Sequence, residues 1–133
     1  MRFYVAAYIG AKPRLQQIHE LLRARGHGLT VDWTQGGGFP LAERETRPEE
    51  VRACAVRDMD GVLSCDAFVL VAEPVDGRAK YVELGAAIAA HLSSGKPRVF
   101  VVGRETHQSV FYYHPSVTRL GCFEEVLEML EDC

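Results

Sequence analysis

The sequence predicts one doubly wound α/β domain over residues 1–133, with about five parallel strands in a single sheet and helices on both faces. Apolar segments rich in β-branched and aromatic residues alternate with longer segments of helical periodicity, as in successive βαβ units. The segment DAFVLVAE (66–73) is almost continuously apolar, as strands buried on both faces are. A length of 133 residues suits a single hydrophobic core.

The first half of the chain contains two predicted strands, a helix and a long loop. RFYVAAY (2–8) is a short apolar run that predicts a buried strand. Pro13 fits the first turn of a helix whose apolar residues share one face, and Gly26 fits its C-terminal cap. LTVDW (29–33) predicts a second strand, and the glycine-rich segment 34–48 predicts a loop.

The second half repeats the alternation of helix and strand. Pro48 begins a helix that is expected to end near residue 63, before the strong strand. The segment from Asp76 to Lys80 is expected to be a loop that leads into a helix containing Glu83. The remaining predicted elements are strands at 97–103 and 118–120 and a last helix at 123–130.

Composition narrows the classes of partner. The net charge is −3 and there is no block of basic residues, which argues against a nucleic-acid polymer or a membrane surface as a partner. No apolar run approaches the ~20 residues of a membrane-spanning helix. The N-terminus begins like a strand and lacks the pattern of a signal peptide, so a cytoplasmic protein is expected.

The sequence gives no support for a metal or cofactor site. The four cysteines lack CxxC spacing and are expected to be free thiols. The five histidines form no HExxH pattern or cluster and are expected at the surface or in supporting positions. No GxGxxG, GxxxxGK[ST] or GxSxG motif is present, which disfavours a dinucleotide site, a P-loop and a serine hydrolase.

Four polar side chains stand out on the predicted elements: Tyr4, Asp58, Asp76 and Glu83. Each has an ordinary structural explanation, namely a core aromatic, a solvated helix carboxylate, a turn aspartate and a carboxylate that favours a helix N-terminus. In a doubly wound sheet, however, ligands bind beyond the carboxyl ends of the strands, where these residues are expected to converge. Carboxylates with a tyrosine suit chemistry that passes through an oxocarbenium-like sugar.

At this point the chain resembles the nucleoside 2-deoxyribosyltransferase family, including the related nucleoside 5′-monophosphate N-glycosidases. The resemblance rests on FYVAAY (3–8), RDMDGVLSCDAFVLVAEP (57–74), the segment 76–103 with VELGAAIA, and the tail from SVFYYHPSV to FEEVLEML. It implies a flavodoxin-like fold and cleavage of the N-glycosidic bond of 2′-deoxynucleosides. The sugar would pass through a covalent deoxyribosyl–glutamate intermediate to another nucleobase.

The resemblance also implies roles for the four polar residues. Glu83 in VELG matches the nucleophile, and Asp58 matches a carboxylate that holds the sugar. Tyr4 matches a tyrosine that orients the glutamate, and Asp76 matches the aspartate that protonates the base. The spacing from Asp76 to Glu83 is one residue longer than in the transferases, and Arg78-Ala79-Lys80 replaces their Gly-Thr.

Further residues are candidates for binding the substrate. Aromatic side chains that could stack on the base are Tyr8, Trp33 and Phe39. Residues of the two loops that could approach the substrate are Gly10, Gly77, Arg78 and Lys80. Both cations could bind a phosphate or could simply be solvated.

The expected ligands are a nucleoside or nucleotide and an acceptor base, with no metal and no cofactor. The family resemblance implies a homo-oligomer, and SVFYYHPSV (109–117) is a plausible contact segment. Two alternatives stay open: a nucleoside 5′-monophosphate N-glycoside hydrolase, and a non-catalytic nucleotide-binding or sensor domain on the same fold. An electron carrier or a receiver module fits less well.

Overall fold

A computed structural model describes residues 1–8, 12–32, 39, 41–74 and 78–131 of the 133-residue chain. The strands are β1 Arg2–Ala6, β2 Gly28–Leu29, β3 Ala67–Val71, β4 Arg98–Val102 and β5 Val117–Leu120. The helices are α1 Lys12–Ala24, α2 Leu41–Arg44, α3 Pro48–Ser64, α4 Ala79–Ser94 and α5 Phe123–Glu131, with a 3₁₀ helix at Val110–Tyr113.

The five strands form one parallel sheet in the order β2-β1-β3-β4-β5. Connections run outward from the centre in both directions, so the change of direction lies between β1 and β3. Tyr4 pairs with Phe68 across these two strands. This arrangement confirms the predicted doubly wound α/β fold, in which ligands bind beyond the carboxyl ends of the strands at the change of direction.

The sheet separates two buried clusters, because alternate residues of a strand face opposite sides. On one side Phe3, Val5 and Val69 pack with residues of α1 and α5. On the other side, Tyr4 and Phe68 pack with residues of α3 and α4. Helices therefore cover both faces of the sheet, and the face that carries Tyr4 lies beneath α3 and α4.

The predicted second strand, 29–33, is wrong in its extent. β2 pairs with β1 at only two positions, Arg2 with Gly28 and Phe3 with Leu29. Past Leu29, the Thr30 N–H still donates to the Phe3 carbonyl of β1 at 2.9 Å, and Asp32 lies 3.4 Å from His19 of α1. Residue 33 lies outside the described part of the chain.

Two short helices lie where the sequence predicts irregular structure. α2 has four residues within the predicted loop 34–48, and the 3₁₀ helix also has four residues. Elements this short carry too few residues for a helical period to be recognised. None of the helices in the described ranges is long and apolar enough to span a membrane.

Candidate active site

Tyr4 lies in the middle of β1, on the sheet face covered by α3 and α4. Its side chain is 2 % exposed, and its ring stacks on Phe68 of the neighbouring strand with centroids 5.8 Å apart. The Tyr4 hydroxyl donates a hydrogen bond to Oε2 of Glu83. Tyr4 is thus two residues before the end of the strand, and its hydroxyl contacts the candidate nucleophile.

Glu83 is in the second turn of α4 and is partly buried. Burial raises the pKa of Glu83 from its ordinary value of 4.5 to about 7. Loss of water disfavours the charged form, while the hydrogen bond from Tyr4 favours it. A carboxylate with a pKa near the working pH can gain and lose its charge during a reaction.

Asp58 lies on α3, half-buried on the side of the helix that also carries Cys54. The Asp58 carboxylate accepts hydrogen bonds from Arg57 at 3.2 Å and from the Cys54 thiol at 3.7 Å. Burial and the charge of Asp58 raise the pKa of the Cys54 thiol, which keeps this thiol protonated as a donor. Ala55 on the same helix is exposed, and the buried face of α3 runs through Gly61 and Val62.

Gly61 lets α3 approach β1 at the ring of Tyr4. A Cβ atom added at Gly61 would lie 2.6 Å from Cγ2 of Val31 and 3.1 Å from Cδ2 of Tyr4. Gly61 is one turn after Asp58 on the same helix, and α3 packs against α4. The Tyr4 ring therefore lies beneath the turn of α3 next to Asp58, while its hydroxyl contacts Glu83 on α4.

We expect Gly61→Ala to lower both stability and any activity that depends on Glu83. Alanine favours a helix over glycine by up to about 1 kcal/mol, but overpacking costs about 1–3 kcal/mol. The new methyl group would also displace the Tyr4 ring. Gly28→Ala, where an added Cβ meets nothing within 4 Å, is the control and should leave thermal unfolding unchanged or slightly improved. Equal unfolding curves for Gly61→Ala and wild type would contradict the close approach.

Lys80 differs from its predicted place in a loop, because it is the second residue of α4. Its side chain is 2 % exposed, and its Nζ has no hydrogen-bond partner among the described residues. The ammonium group lies 5.3 Å from the centroid of the Tyr81 ring. A signal for its burial is present in the sequence, since Lys80, Leu84 and Ala87 have the i, i+4, i+7 spacing of a core-facing helix stripe.

The other candidate binding residues are dispersed. Tyr8 is 39 % exposed, and Arg78 is exposed just before α4. Phe39 is partly buried, and the guanidinium of Arg47 lies 5.0 Å from its ring centroid, so one ring face is already covered. The candidates that lie outside the described residues are Gly10, Trp33, Asp76 and Gly77.

His19 is buried, so it is not one of the expected surface histidines. It is 4 % exposed within α1, and its Nδ1 lies 3.4 Å from Oδ1 of Asp32. Burial lowers the pKa of His19, although the charge of Asp32 opposes this shift. Across the described residues, no three His, Cys, Asp or Glu side chains come together as a metal site would require.

The described groups suit nucleophilic chemistry. A partly buried carboxylate, Glu83, has a tyrosine hydroxyl fixed on one oxygen, which restricts its orientation. A second carboxylate, Asp58, lies on the adjacent helix and keeps about a third of its side chain exposed, at 32 %. In such a pair, Glu83 can form a bond to an electrophilic carbon, and Asp58 can hold hydroxyl groups beside that carbon.

Comparison with known proteins gives a match at the level of fold. No protein-family model matches the chain, and no curated protein sequence matches it. Among solved structures, the CMP N-glycosidase BcmB of Clostridium botulinum is similar, with a TM-score of 0.59 and 16 % sequence identity, and the match covers 100 % of both chains. The chain therefore has the same α/β fold as this enzyme over its whole length.

Proposed function

We propose that the chain cleaves the N-glycosidic bond of nucleosides or nucleotides, with Glu83 as the nucleophile. The observation that carries this proposal is the hydrogen bond from Tyr4 to Glu83, which joins residues 79 positions apart in the sequence. This hydrogen bond fixes the partly buried carboxylate of Glu83 next to α3, the helix that carries the second carboxylate, Asp58. The similarity in fold to a CMP N-glycosidase supports the same class of bond.

The proposed reaction has two steps. In the first, ionised Glu83 forms a bond from a carboxylate oxygen to C1′ of the sugar, and the C1′–N bond breaks with its electron pair going to the base nitrogen. A proton reaches this nitrogen from a donor near the base, the role that the family resemblance implies for Asp76. In the second, a nitrogen of another base or a water attacks C1′, and Glu83 leaves as a carboxylate with net retention.

Tyr4 and Asp58 have supporting roles in this scheme. Tyr4 holds the carboxylate of Glu83 in one orientation, which lowers the entropic cost of reaching C1′. Asp58 accepts hydrogen bonds from sugar hydroxyls, each worth about 1.5–3 kcal/mol to a charged acceptor. Deoxyribosyl transfer to a second base is the first form of the proposal. Hydrolysis of a nucleoside 5′-monophosphate is the second, and the N-glycosidase similarity favours it.

Chromatography of reaction mixtures tests the proposal. The protein is incubated with deoxynucleosides, ribonucleosides and their 5′-monophosphates, with and without an acceptor base, and free and exchanged bases are quantified. A new nucleoside that forms only with the acceptor indicates transfer, and free base alone indicates hydrolysis. Tight nucleotide binding without release of base from any substrate would overturn the enzymatic proposal and favour a binding or sensor domain.

We also propose a second copy of this chain as a partner, docked on the outer side of α4. The exposed residues of this helix carry no Lys, Arg, Asp or Glu, although 25 % of all residues are charged. Val82 and Leu92 are 65 % and 66 % exposed, and Phe111 of the adjacent 3₁₀ helix is 64 % exposed. Because two copies each carry a net charge of −3, an uncharged face is where they can meet without repulsion.

Ala89→Arg, on the exposed side of α4, should convert this assembly to monomers. A charge at the centre of an apolar interface would be desolvated without a partner, which is strongly unfavourable. Analytical ultracentrifugation at micromolar concentration measures the change. Gln17→Arg, which adds the same charge on the exposed side of α1, is the control and should leave the assembly intact. A monomeric wild-type protein, or an Ala89→Arg variant of unchanged mass, would contradict the proposal.

A further inference from the structure

Asp58, the carboxylate proposed to hold the sugar, is oriented by side chains of its own helix. The Arg57 guanidinium donates to Oδ1 through Nε and through Nη2, both at 3.2 Å. The Cys54 thiol donates to Oδ2 at 3.7 Å. Cys54 and Asp58 are four residues apart on α3 and share one face, and helical side chains lean toward the N-terminus. The helix geometry therefore brings the Asp58 carboxylate toward the thiol.

The two oxygens of Asp58 differ in what they can still accept. Each carboxylate oxygen has two lone-pair positions. Both positions on Oδ1 receive N–H groups of Arg57, whereas from the described residues Oδ2 receives the thiol alone and keeps one position. The side chain is 32 % exposed, which leaves room for a ligand to approach the carboxylate. Asp58 is therefore suited to accept one hydroxyl group, at Oδ2.

The Cys54 thiol is the group that fixes Oδ2. The side chain of Arg57 is 54 % exposed, so its contacts with Oδ1 compete with water and are weak. Cys54 is partly buried, and its Sγ accepts a hydrogen bond from Nη2 of Arg57 at 3.5 Å. Burial and the charge of Asp58 raise the pKa of the Cys54 thiol, so it keeps its proton at neutral pH. The thiol therefore stays a donor to Asp58 under working conditions.

We propose that Cys54 is a positioning residue, whose thiol holds Oδ2 of Asp58 in the orientation that accepts a single sugar hydroxyl. The part of this inference that concerns the sugar rests on the proposed function, whereas the coupling of the two side chains does not. Without the thiol, the carboxylate is free to rotate, and a sugar contact must then order it. Any effect of Cys54 on turnover passes through Asp58.

Thiol reactivity tests the coupling without any turnover. The full chain is treated with iodoacetamide at pH 8, and peptide mass spectrometry follows each cysteine separately. The thiolate is the reactive form and the charge of Asp58 disfavours it, so Asp58→Asn should speed alkylation of Cys54 at least about 3-fold. Cys122, a partly exposed thiol that donates to Glu125 at 3.6 Å, should react equally fast in both proteins. Equal rates at Cys54 would overturn the inference.

Substrate analogues that each lack one sugar hydroxyl then identify the contact. The hydroxyl held by Asp58 is the one whose removal lowers kcat/KM in the wild type but not in Asp58→Ala. Cys54→Ala should lower kcat/KM for the complete substrate roughly 3- to 10-fold, as expected for losing one hydrogen bond of modest strength. For the analogue without that hydroxyl, Cys54→Ala should leave kcat/KM unchanged. Cys54→Ser keeps a donor at this position and should restore most of the rate.

Matched controls separate this inference from the proposed function. Cys122→Ala removes a similar thiol–carboxylate pair just before α5 and should leave kcat/KM unchanged for both substrates. If Cys54→Ala lowers kcat/KM equally for both substrates while turnover still depends on Glu83, Cys54 has only a structural role and the inference alone is overturned. Faster alkylation of Cys54 in Asp58→Asn, without turnover of any nucleoside, would overturn the proposed function and leave the coupling supported.

Discussion

Glu83→Gln is expected to lower base release by at least about 10³-fold, because removal of a covalent nucleophile leaves only binding and electrostatic contributions to catalysis. Glutamine has nearly the shape of glutamate and can still accept the hydrogen bond that Tyr4 donates to Glu83. The variant should therefore keep its fold and its ligand affinity. Rates are measured by chromatography at pH 8, where Glu83 of the wild type, with a pKa of about 7, is mostly ionised.

The same substitution should stabilise the protein above pH 7. The folded state holds a proton on Glu83 up to about pH 7, whereas the unfolded chain releases it near 4.5. Between these values folding takes up a proton, so the stability of the wild type falls as pH rises through this window. A shift of this size corresponds to about 3 kcal/mol. Urea unfolding at pH 5 and pH 8 should therefore show the advantage of Glu83→Gln growing with pH.

Glu124→Gln is the control, and its expected effect on folding stability at neutral pH has the opposite sign. Glu124 lies in the first turn of α5, where a hydrogen bond from its own backbone amide lowers the pKa of its carboxyl. A lowered pKa contributes stability above the pKa of the unfolded chain, so this variant should lose stability at neutral pH. Unchanged turnover in Glu83→Gln would contradict the assignment of Glu83 as the nucleophile. If Glu83→Gln and the wild type unfold identically at pH 5 and also at pH 8, the raised pKa of the buried Glu83 carboxyl is contradicted.

The fold could be predicted from the sequence because the patterns that indicate its strands and helices are local and repeated. The apolar run in β3 and the helical spacing of α1 each predict an element without knowledge of the others. β2 was predicted too long because its pairing with β1 ends at Phe3, although β1 continues to Ala6, and the point at which a chain leaves its neighbouring strand is a tertiary property. The 3₁₀ helix at Val110–Tyr113 is one turn long and leaves no periodic signal.

The candidate site could be predicted only in part from the sequence. Tyr4 and Glu83 are polar groups on apolar elements, but no local pattern indicates that they touch, since 79 positions separate them. Their pairing was expected only from the family resemblance. Lys80 was expected in the loop that begins at Asp76, although its spacing from Leu84 predicts the core side of α4, where lysine is rarely found. Burial of a charge depends on the surrounding structure, which sequence periodicity does not contain.

Tyr4→Phe should lower kcat/KM roughly 10- to 150-fold and shift its dependence on pH. The Tyr4 hydroxyl donates to Glu83, and a hydrogen bond to a charged acceptor contributes about 1.5–3 kcal/mol. In the wild type, kcat/KM should rise with pH through about 7 as Glu83 ionises and then reach a plateau. Without the hydroxyl, the ionised form loses a donor, so the pKa of Glu83 and the midpoint of this rise should move upward.

Tyr112→Phe separates the effect on Glu83 from the loss of a buried hydroxyl in general. Tyr112 belongs to the same buried cluster as Tyr4, and its ring stacks on Tyr81 on another side of α4. We expect this control to change stability slightly and to leave the midpoint of the pH profile in place. A purely structural role for Tyr4 would lower activity equally at all pH values. The upward shift of the midpoint is therefore the result that identifies Tyr4 as the residue that positions and ionises Glu83, and a midpoint that stays near 7 in Tyr4→Phe would contradict it.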